Sequence, residues 1–291
     1  MRPASPADLP AITALLVRAN ETPYDIACVA EEKVFGRGFR GEPVVRVYEE
    51  SGVIRGVAVR CGNVLRLIAV DPEHRRRGIG SVLMSAEMGA RSAEEGHRSA
   101  LRPPLSALTA FAEAGNYFTP GVIESDAGTR AFFARHGFIE ERWTSNLETT
   151  QLPEAIPSEV QRVSSANRER VLEFVAREFG PAWRFECENA GDRLFFIEHD
   201  AVIAGFAAHD ANNRGLGFFG PTGVAESMRG RGFGTLLLRA SLTDLRTLGY
   251  ARVIIPWTDA IEFYAKACGA RVSRRFVMMT SGQWAARSAQ R

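Results

Sequence analysis

Two short stretches of this chain concentrate residues suited to holding an anion. The first reads Arg75-Arg76-Arg77-Gly78-Ile79-Gly80-Ser81, the second Arg229-Gly230-Arg231-Gly232-Phe233-Gly234-Thr235. A turn of small residues that opens a helix aims several backbone N–H groups at one point, and the helix dipole adds partial positive charge there. Glycine lets an anion approach those amides closely. Arginine adds forked donors suited to phosphate oxygens, and Ser81 or Thr235 could add a hydroxyl. The chemistry expected is a cradle for a pyrophosphate. Neither stretch is a Walker loop, since no Gly-Lys-Ser/Thr follows, and neither has the GxGxxG spacing of a dinucleotide fingerprint.

The elements around the two turns repeat as well. Val70 falls on Val224, Arg75 on Arg229, Gly78 on Gly232, Gly80 on Gly234 and Ser81 on Thr235, without a gap. An apolar stripe follows each turn: Ile79, Val82, Leu83, Ala86 and Ala90 in one helix, Phe233, Leu236, Leu237 and Ala240 in the other. Gly96 and Gly249 stand where those helices should stop. Short apolar runs, "VLRLIAV" and "LGFFGPTGV", precede the turns as buried strands. Upstream of each lies a hairpin, turning near Ser51-Gly52 and His199-Asp200, and before that a helical stretch, residues 8–19 and 167–178. Each half closes with a helix running into glycine, "GTRAFFARHGF" and "AIEFYAKACGA". The expectation is two like domains of mixed α/β (α+β) class, each a mostly antiparallel mixed sheet flanked by helices. The boundaries expected are 1–150 and 160–291, with the Pro-bearing stretch 151–159 as linker.

Composition narrows the function. At 291 residues there is room for two ordinary domains, and 45% hydrophobic with 24% charged residues is a soluble globular balance. A net charge of +2 is too small to argue for a nucleic-acid partner. Cys28, Cys61, Cys187 and Cys268 form no CxxC pair and stand near no histidine cluster, so no disulfide framework and no metal site is expected. No signal peptide is evident at the N-terminus, and no apolar run approaches the roughly 20 residues that span a bilayer. A cytoplasmic location is expected, with no membrane partner. Self-association is left open.

The pattern Arg-x-x-Gly-x-Gly at Arg75, Gly78 and Gly80, and again at Arg229, Gly232 and Gly234, resembles the acyl-CoA signature of the GCN5-related N-acetyltransferases. The order helix, hairpin, strand, signature, helix, strand, helix resembles that family too, over most of both halves. The resemblance implies a tandem acetyltransferase with acetyl-CoA as co-substrate. It implies that Ile68, Ala69 and Val70, and Thr222, Gly223 and Val224, pair their backbones with the pantetheine arm. Residues 75–81 and 229–235 would then hold the pyrophosphate.

At the reactive end the halves differ. Family members often carry a tyrosine in the last helix that protonates the departing thiolate. Tyr264 stands there in the second half and Phe133 in the first. The chemistry is therefore expected in the C-terminal half, with Tyr264 as general acid and the Val224 N–H polarising the thioester carbonyl. The N-terminal half would be a degenerate copy retaining its cradle. The acceptor would be a small-molecule primary amine or amino sugar, attacking directly in a ternary complex. Trp257 and Asp259 fall where the substrate cleft should open. For the base, Asp259, Glu262 and His209 stay open, as does a water relay. Between Gly78 and Phe133 the first half carries an insertion, "LRPPLSALTAFAEAGNYFTPGVIESD", that could cover the N-terminal cleft or dock on the other domain. The competing reading is a non-catalytic acyl-CoA-binding or sensing module.

Overall fold

The computed structural model describes residues 1–96 and 107–281, with the backbone alone for residues 90–96. The chain divides into two compact units: Met1–Trp143 joined by the stretch from Phe276, and Thr144–Arg275.

The first unit holds β1 (Arg2–Pro3), α1 (Leu9–Ala19), α2 (Ile26–Phe35), β2 (Val44–Glu50), β3 (Val53–Cys61), β4 (Val64–Val70), α3 (Ile79–Gly96), β5 (Thr109–Ala110), β6 (Val122–Ile123) and α4 (Ala127–Arg135). β7 (Phe138–Thr149) begins there and passes into the second unit. The second unit continues with β8 (Val160–Arg162), α5 (Arg168–Phe179), α6 (Pro181–Ala190), β9 (Leu194–His199), β10 (Val202–His209), β11 (Phe219–Val224), α7 (Phe233–Thr247), β12 (Val253–Thr258) and α8 (Ile261–Cys268). β13 (Arg271–Ser281) starts there and returns to the first unit.

In the first unit β1, β2, β3 and β4 run antiparallel in that order. β4 then meets β5 in parallel, but only at Val64↔Thr109 and Leu65↔Ala110. In the second unit β8, β9, β10 and β11 run antiparallel, and the parallel contact to β12 is the bridge Phe218↔Ile254. Each unit thus has two parallel strands that touch at their start and then part. The β2–β3 hairpin turns on Ser51 and Gly52, both with positive φ (51° and 77°), as a two-residue turn matching strand twist requires. The β9–β10 turn sits one residue later than expected, on Asp200 and Ala201 (φ 52° and 62°), because His199 still pairs with Val202.

Buried apolar side chains fill each unit. Ile79, Leu83, Phe133, Phe138, Val277 and Met279 share one core, and Phe195, Phe219, Leu237, Leu238, Ile255 and Tyr264 another. Val82 departs from the expected stripe and is exposed, because α3 buries Met84 and Glu87 and so turns Val82 outward. Ala90 lies outside the residues whose side chains are described.

The compact units differ from the expected division at β7 and β13. The stretch 151–159 packs on the second unit. Leu152 packs on the second core, the Thr243 hydroxyl donates to Ala155 O (3.2 Å) and Arg246 donates to Pro153 O (3.5 Å). The last strand does not stay with the second unit: Phe276 and Val277 pair with Ile123 and Val122 and are fully buried. Val277 and, two residues on, Met279 join the first core rather than the second. The repeat in the sequence could not disclose this exchange, since it shows which segments are alike and not which sheet each joins.

Candidate active site

The two cradles are alike in detail. Gly78 and Gly232 have φ of 86° and 85°, a left-handed conformation that favours glycine, and open space lies where a Cβ would point. Arg76 and Gly230, at matching positions, are left-handed too (φ 66° and 80°). No side chain caps α7 at Gly232, and the first intrahelical bonds run from Thr235 N–H and Leu236 N–H to Gly232 O. The N–H groups ahead of them are the orphan donors of a helix start, available to an anion. The three arginines of the first turn, and Arg229 and Arg231 of the second, are exposed around these donors. Both turns therefore fit a pyrophosphate.

The strands before them offer a free edge. Asp71 N–H bonds to Arg55 O and Ala225 N–H to Ala204 O, each 2.9 Å. By antiparallel alternation, Ile68 and Val70, and Thr222 and Val224, turn their N–H groups the other way. That is the side β5 and β12 have vacated. A pantetheine arm needs such an edge.

The approach of the first turn is pinned by Asp71, which is buried. It accepts from Arg18 (3.2 Å), Arg55 (3.1 Å) and Glu73 N–H (3.3 Å). Burial alone would raise its pKa, but these hydrogen bonds hold the carboxyl below its ordinary value. Ala225 stands at the matching place in the second unit and makes no such anchor. Arg75 is itself engaged, donating to Glu21 at 3.0 Å, both groups exposed.

The last helices superpose the two reactive ends. A Cβ on Gly80 would lie 3.2 Å from Phe132 and 3.6 Å from Val70; a Cβ on Gly234 would lie 3.5 Å from Phe263 and 3.8 Å from Val224. Phe132 and Phe263 are therefore equivalent, which makes Phe133 and Tyr264, the next residue in each helix, equivalent as well. Phe133 is fully buried among Phe111, Phe132 and Phe138. Tyr264 packs edge-on to Phe219 and Phe263, and burial pushes its phenol well above the ordinary tyrosine range. The Tyr264 proton is consequently retained across the physiological pH range.

Of the other candidates, Trp257 is half-buried, in a bulge of β12 with φ 47°, and its N–H donates to Asn146 (3.0 Å). Asp259 and Glu262 are exposed beside the start of α8. His209 is not brought to the strand edge. It is fully buried, with Nε2 2.8 Å from the Asp244 carboxylate. Burial opposes the ionised form of Asp244, but His209 and Arg162 hold it far below the ordinary range. A histidine so enclosed serves as a structural link to α7, not as a base for substrate.

A cleft of about 780 Å³ opens in the first unit along β4 and the first cradle. Residues 101–106 of the insertion lie outside the described residues, but Phe111, Phe118, Thr119, Gly121 and Val122 from its remainder line this cleft. Of the two roles considered for the insertion, walling the N-terminal cleft is what its described part does. In the second unit Phe179 lies on the matching strand face, against Gly223, with Trp183 stacked on it at 5.2 Å.

Comparison with known proteins agrees with this geometry. Residues 161–270 match the model of the acetyltransferase (GNAT) family and residues 25–140 that of the acetyltransferase (GNAT) domain. The chain belongs to the GCN5-related N-acetyltransferase family, with two such domains in tandem. No curated protein matches it. Among solved structures it resembles the GCN5-related glucosamine N-acetyltransferase region of a fungal multi-domain β-N-acetylglucosaminidase, with TM-score 0.78 and 16% identity. That match covers 96% of this chain and 37% of the fungal one. It also resembles a GCN5-related N-acetyltransferase from Sphaerobacter thermophilus (TM-score 0.68, 19% identity, 96% and 94% covered). A third is a tandem GNAT protein from the clavulanic acid biosynthesis pathway (0.64, 21%, 96% and 97%). At these identities the likeness is one of fold.

Several residues of the two GNAT grooves escaped the sequence reading. Arg135 lines the first cleft on α4, three residues beyond Phe132, and Lys266 holds the same place beyond Phe263. The aligned pair of helices carried this signal. Phe179, by contrast, leaves no trace in any motif, since it reaches Gly223 from another helix.

Proposed function

We propose that this chain is an acetyl-CoA-dependent N-acetyltransferase acting on a primary amine, with the chemistry in the C-terminal domain. The observation that carries this reading is Tyr264: it occupies the place of Phe133, one residue beyond the phenylalanine that covers the second signature glycine. Bound acetyl-CoA would supply an acyl carbon activated as a thioester. The turn 229–235 would hold its pyrophosphate, and the free edge of Thr222–Val224 its pantetheine arm. The Val224 N–H would polarise the thioester carbonyl as charge develops on its oxygen. The amine, deprotonated through water, would attack directly within a ternary complex. A C–N bond forms, the C–S bond breaks, the departing sulfur takes the Tyr264 proton, and the proton the nitrogen sheds passes through water to restore the phenol. Trp257 and Asp259 stand at the mouth of β12, where the acceptor would enter.

The N-terminal domain is read as an acyl-CoA-holding copy. Its cradle and strand edge match those of its partner domain, but Phe133 has no proton to give. The acceptor class is supported by the fungal relative, whose region acts on glucosamine. An amino sugar is therefore the first acceptor to try. The test is steady release of CoA thiol from acetyl-CoA with a panel of primary amines that includes glucosamine. Turnover with at least one amine, lowered by Tyr264→Phe, is expected. Acetyl-CoA binding without turnover on any amine would favour a sensing module instead.

A further inference from the structure

We infer that the N-terminal cleft is built for an acyl-CoA whose acyl group is a medium-length linear apolar chain, such as hexanoyl, rather than acetyl. The inference rests on the reading that the first cradle holds acyl-CoA, and concerns what lies beyond the cradle.

The cleft, about 780 Å³, is near the upper end of small-molecule sites. Arg66 apart, its charged lining comes from the signature turn, from Glu21 and from α4 with its cap Asp126. Arg75 and Arg76 belong to the signature turn, Glu21 is paired with Arg75, and Arg135 lies on α4 beyond Phe132. Past Ile68, toward the start of β4, the walls are Leu16 of α1, Ile26 of α2, Leu67 of β4, and Phe118 and Val122 of the insertion.

One charged residue, Arg66, lies at this inner end, and it is spoken for. Its side chain is fully buried, it pairs with Glu113, and it donates to Gly36 O (2.7 Å) and Lys33 O (3.3 Å). A side chain at Gly38 would strike both the Glu113 carboxylate and Arg66 Nη2. This cluster closes the C-terminal end of α2, with Arg66 Nη2 and Glu113 Oε1 buried in it and left without a hydrogen-bond partner. The acid's place is taken by Phe133. The inner end therefore presents mainly apolar surface.

The second unit makes the contrast. Ala69 lines the N-terminal cleft, whereas its counterpart Gly223 is covered by the Phe179 ring. The strand face at Ala69 is open to the cleft, whereas at Gly223 the ring closes it. Each methylene buried in such a pocket tightens binding about four-fold until the pocket is full.

The experiment titrates free CoA, acetyl-CoA, butyryl-CoA and hexanoyl-CoA calorimetrically into the full chain, into Gly78→Glu and Gly232→Glu, and into Ile26→Trp, which fills the inner end. Folding of each variant is checked by circular dichroism. The expected result is one site whose affinity rises with each added methylene, up to about 250-fold from acetyl-CoA to hexanoyl-CoA. That gain survives Gly232→Glu, is lost in Gly78→Glu, and shrinks in Ile26→Trp while free CoA still binds. A flat or falling series, or a gain that survives Gly78→Glu, overturns the inference; the Gly78→Glu arm decides it even where Ile26→Trp does not fold. If neither free CoA nor acetyl-CoA binds the wild type, the underlying acyl-CoA reading fails as well.

Discussion

Phe179 packs on the backbone of Gly223 so closely that a Cβ there would lie 2.5 Å from its Cε1 and Cζ. The contact fixes α5 against the strand that would pair with pantetheine. Gly223→Ala should therefore overpack the site and cost about 1–3 kcal/mol, seen as a lower denaturation midpoint. In a Phe179→Ala background, itself destabilised by the lost ring packing, Gly223→Ala should cost far less. Additive destabilisation in the double variant would show that the two residues do not meet.

Tyr264→Phe removes one oxygen from a buried side chain and leaves the ring packing on Phe219 and Phe263. Turnover should fall about 10²- to 10⁴-fold, as loss of a general acid does, with little change in KM for acetyl-CoA. Because burial holds the phenol protonated, the wild-type rate should climb with pH as the amine deprotonates. It should show no fall near the ordinary tyrosine pKa. A descending limb near pH 10 would contradict the assignment.

Lys33 supplies a pH signature of the fold. Burial pushes its ammonium down to about 8, although Glu32 lies 2.5 Å away. Between that value and the ordinary lysine pKa the unfolded chain binds a proton that the folded chain has released. Stability from this group therefore rises with pH across the window. Relative to Lys33→Met, the wild type should gain up to about 3 kcal/mol between pH 8 and 10.5. The Cys61 thiol, pushed by burial to about 11, works in the opposite direction in both proteins and cancels in the comparison. A difference independent of pH would show Lys33 to be solvated.

The Arg75–Glu21 pair restrains one of the first cradle's arginines. Glu21→Gln should free it and tighten CoA binding in the N-terminal domain several-fold at low salt. The gain should fade as salt rises, since both groups are exposed. An unchanged affinity at low salt would mean that Arg75 already turns to the phosphate.

Much of this was legible in the sequence. β4 spans the apolar run "VLRLIAV" residue for residue, and Gly78 and Gly232 open the helices at the expected turns. Local chemistry dictated those features. What stayed hidden depends on long-range packing: β13 returning to the first unit, Phe179 covering Gly223, and His209 enclosed beside Asp244. The exposed Val82 misled because a periodic stripe shows which residues share a face, not where the buried face ends.

If two cradles bind acyl-CoA and one domain does the chemistry, binding and turnover should separate between the two signature turns. The most direct measurement pairs acetyl-CoA calorimetry with CoA-thiol release for the wild type, Gly78→Glu and Gly232→Glu, each first shown to fold. Two binding equivalents are expected in the wild type and one in each variant. Thiol release should be abolished by Gly232→Glu and largely kept in Gly78→Glu. Release that survives Gly232→Glu and disappears in Gly78→Glu would contradict this division of roles.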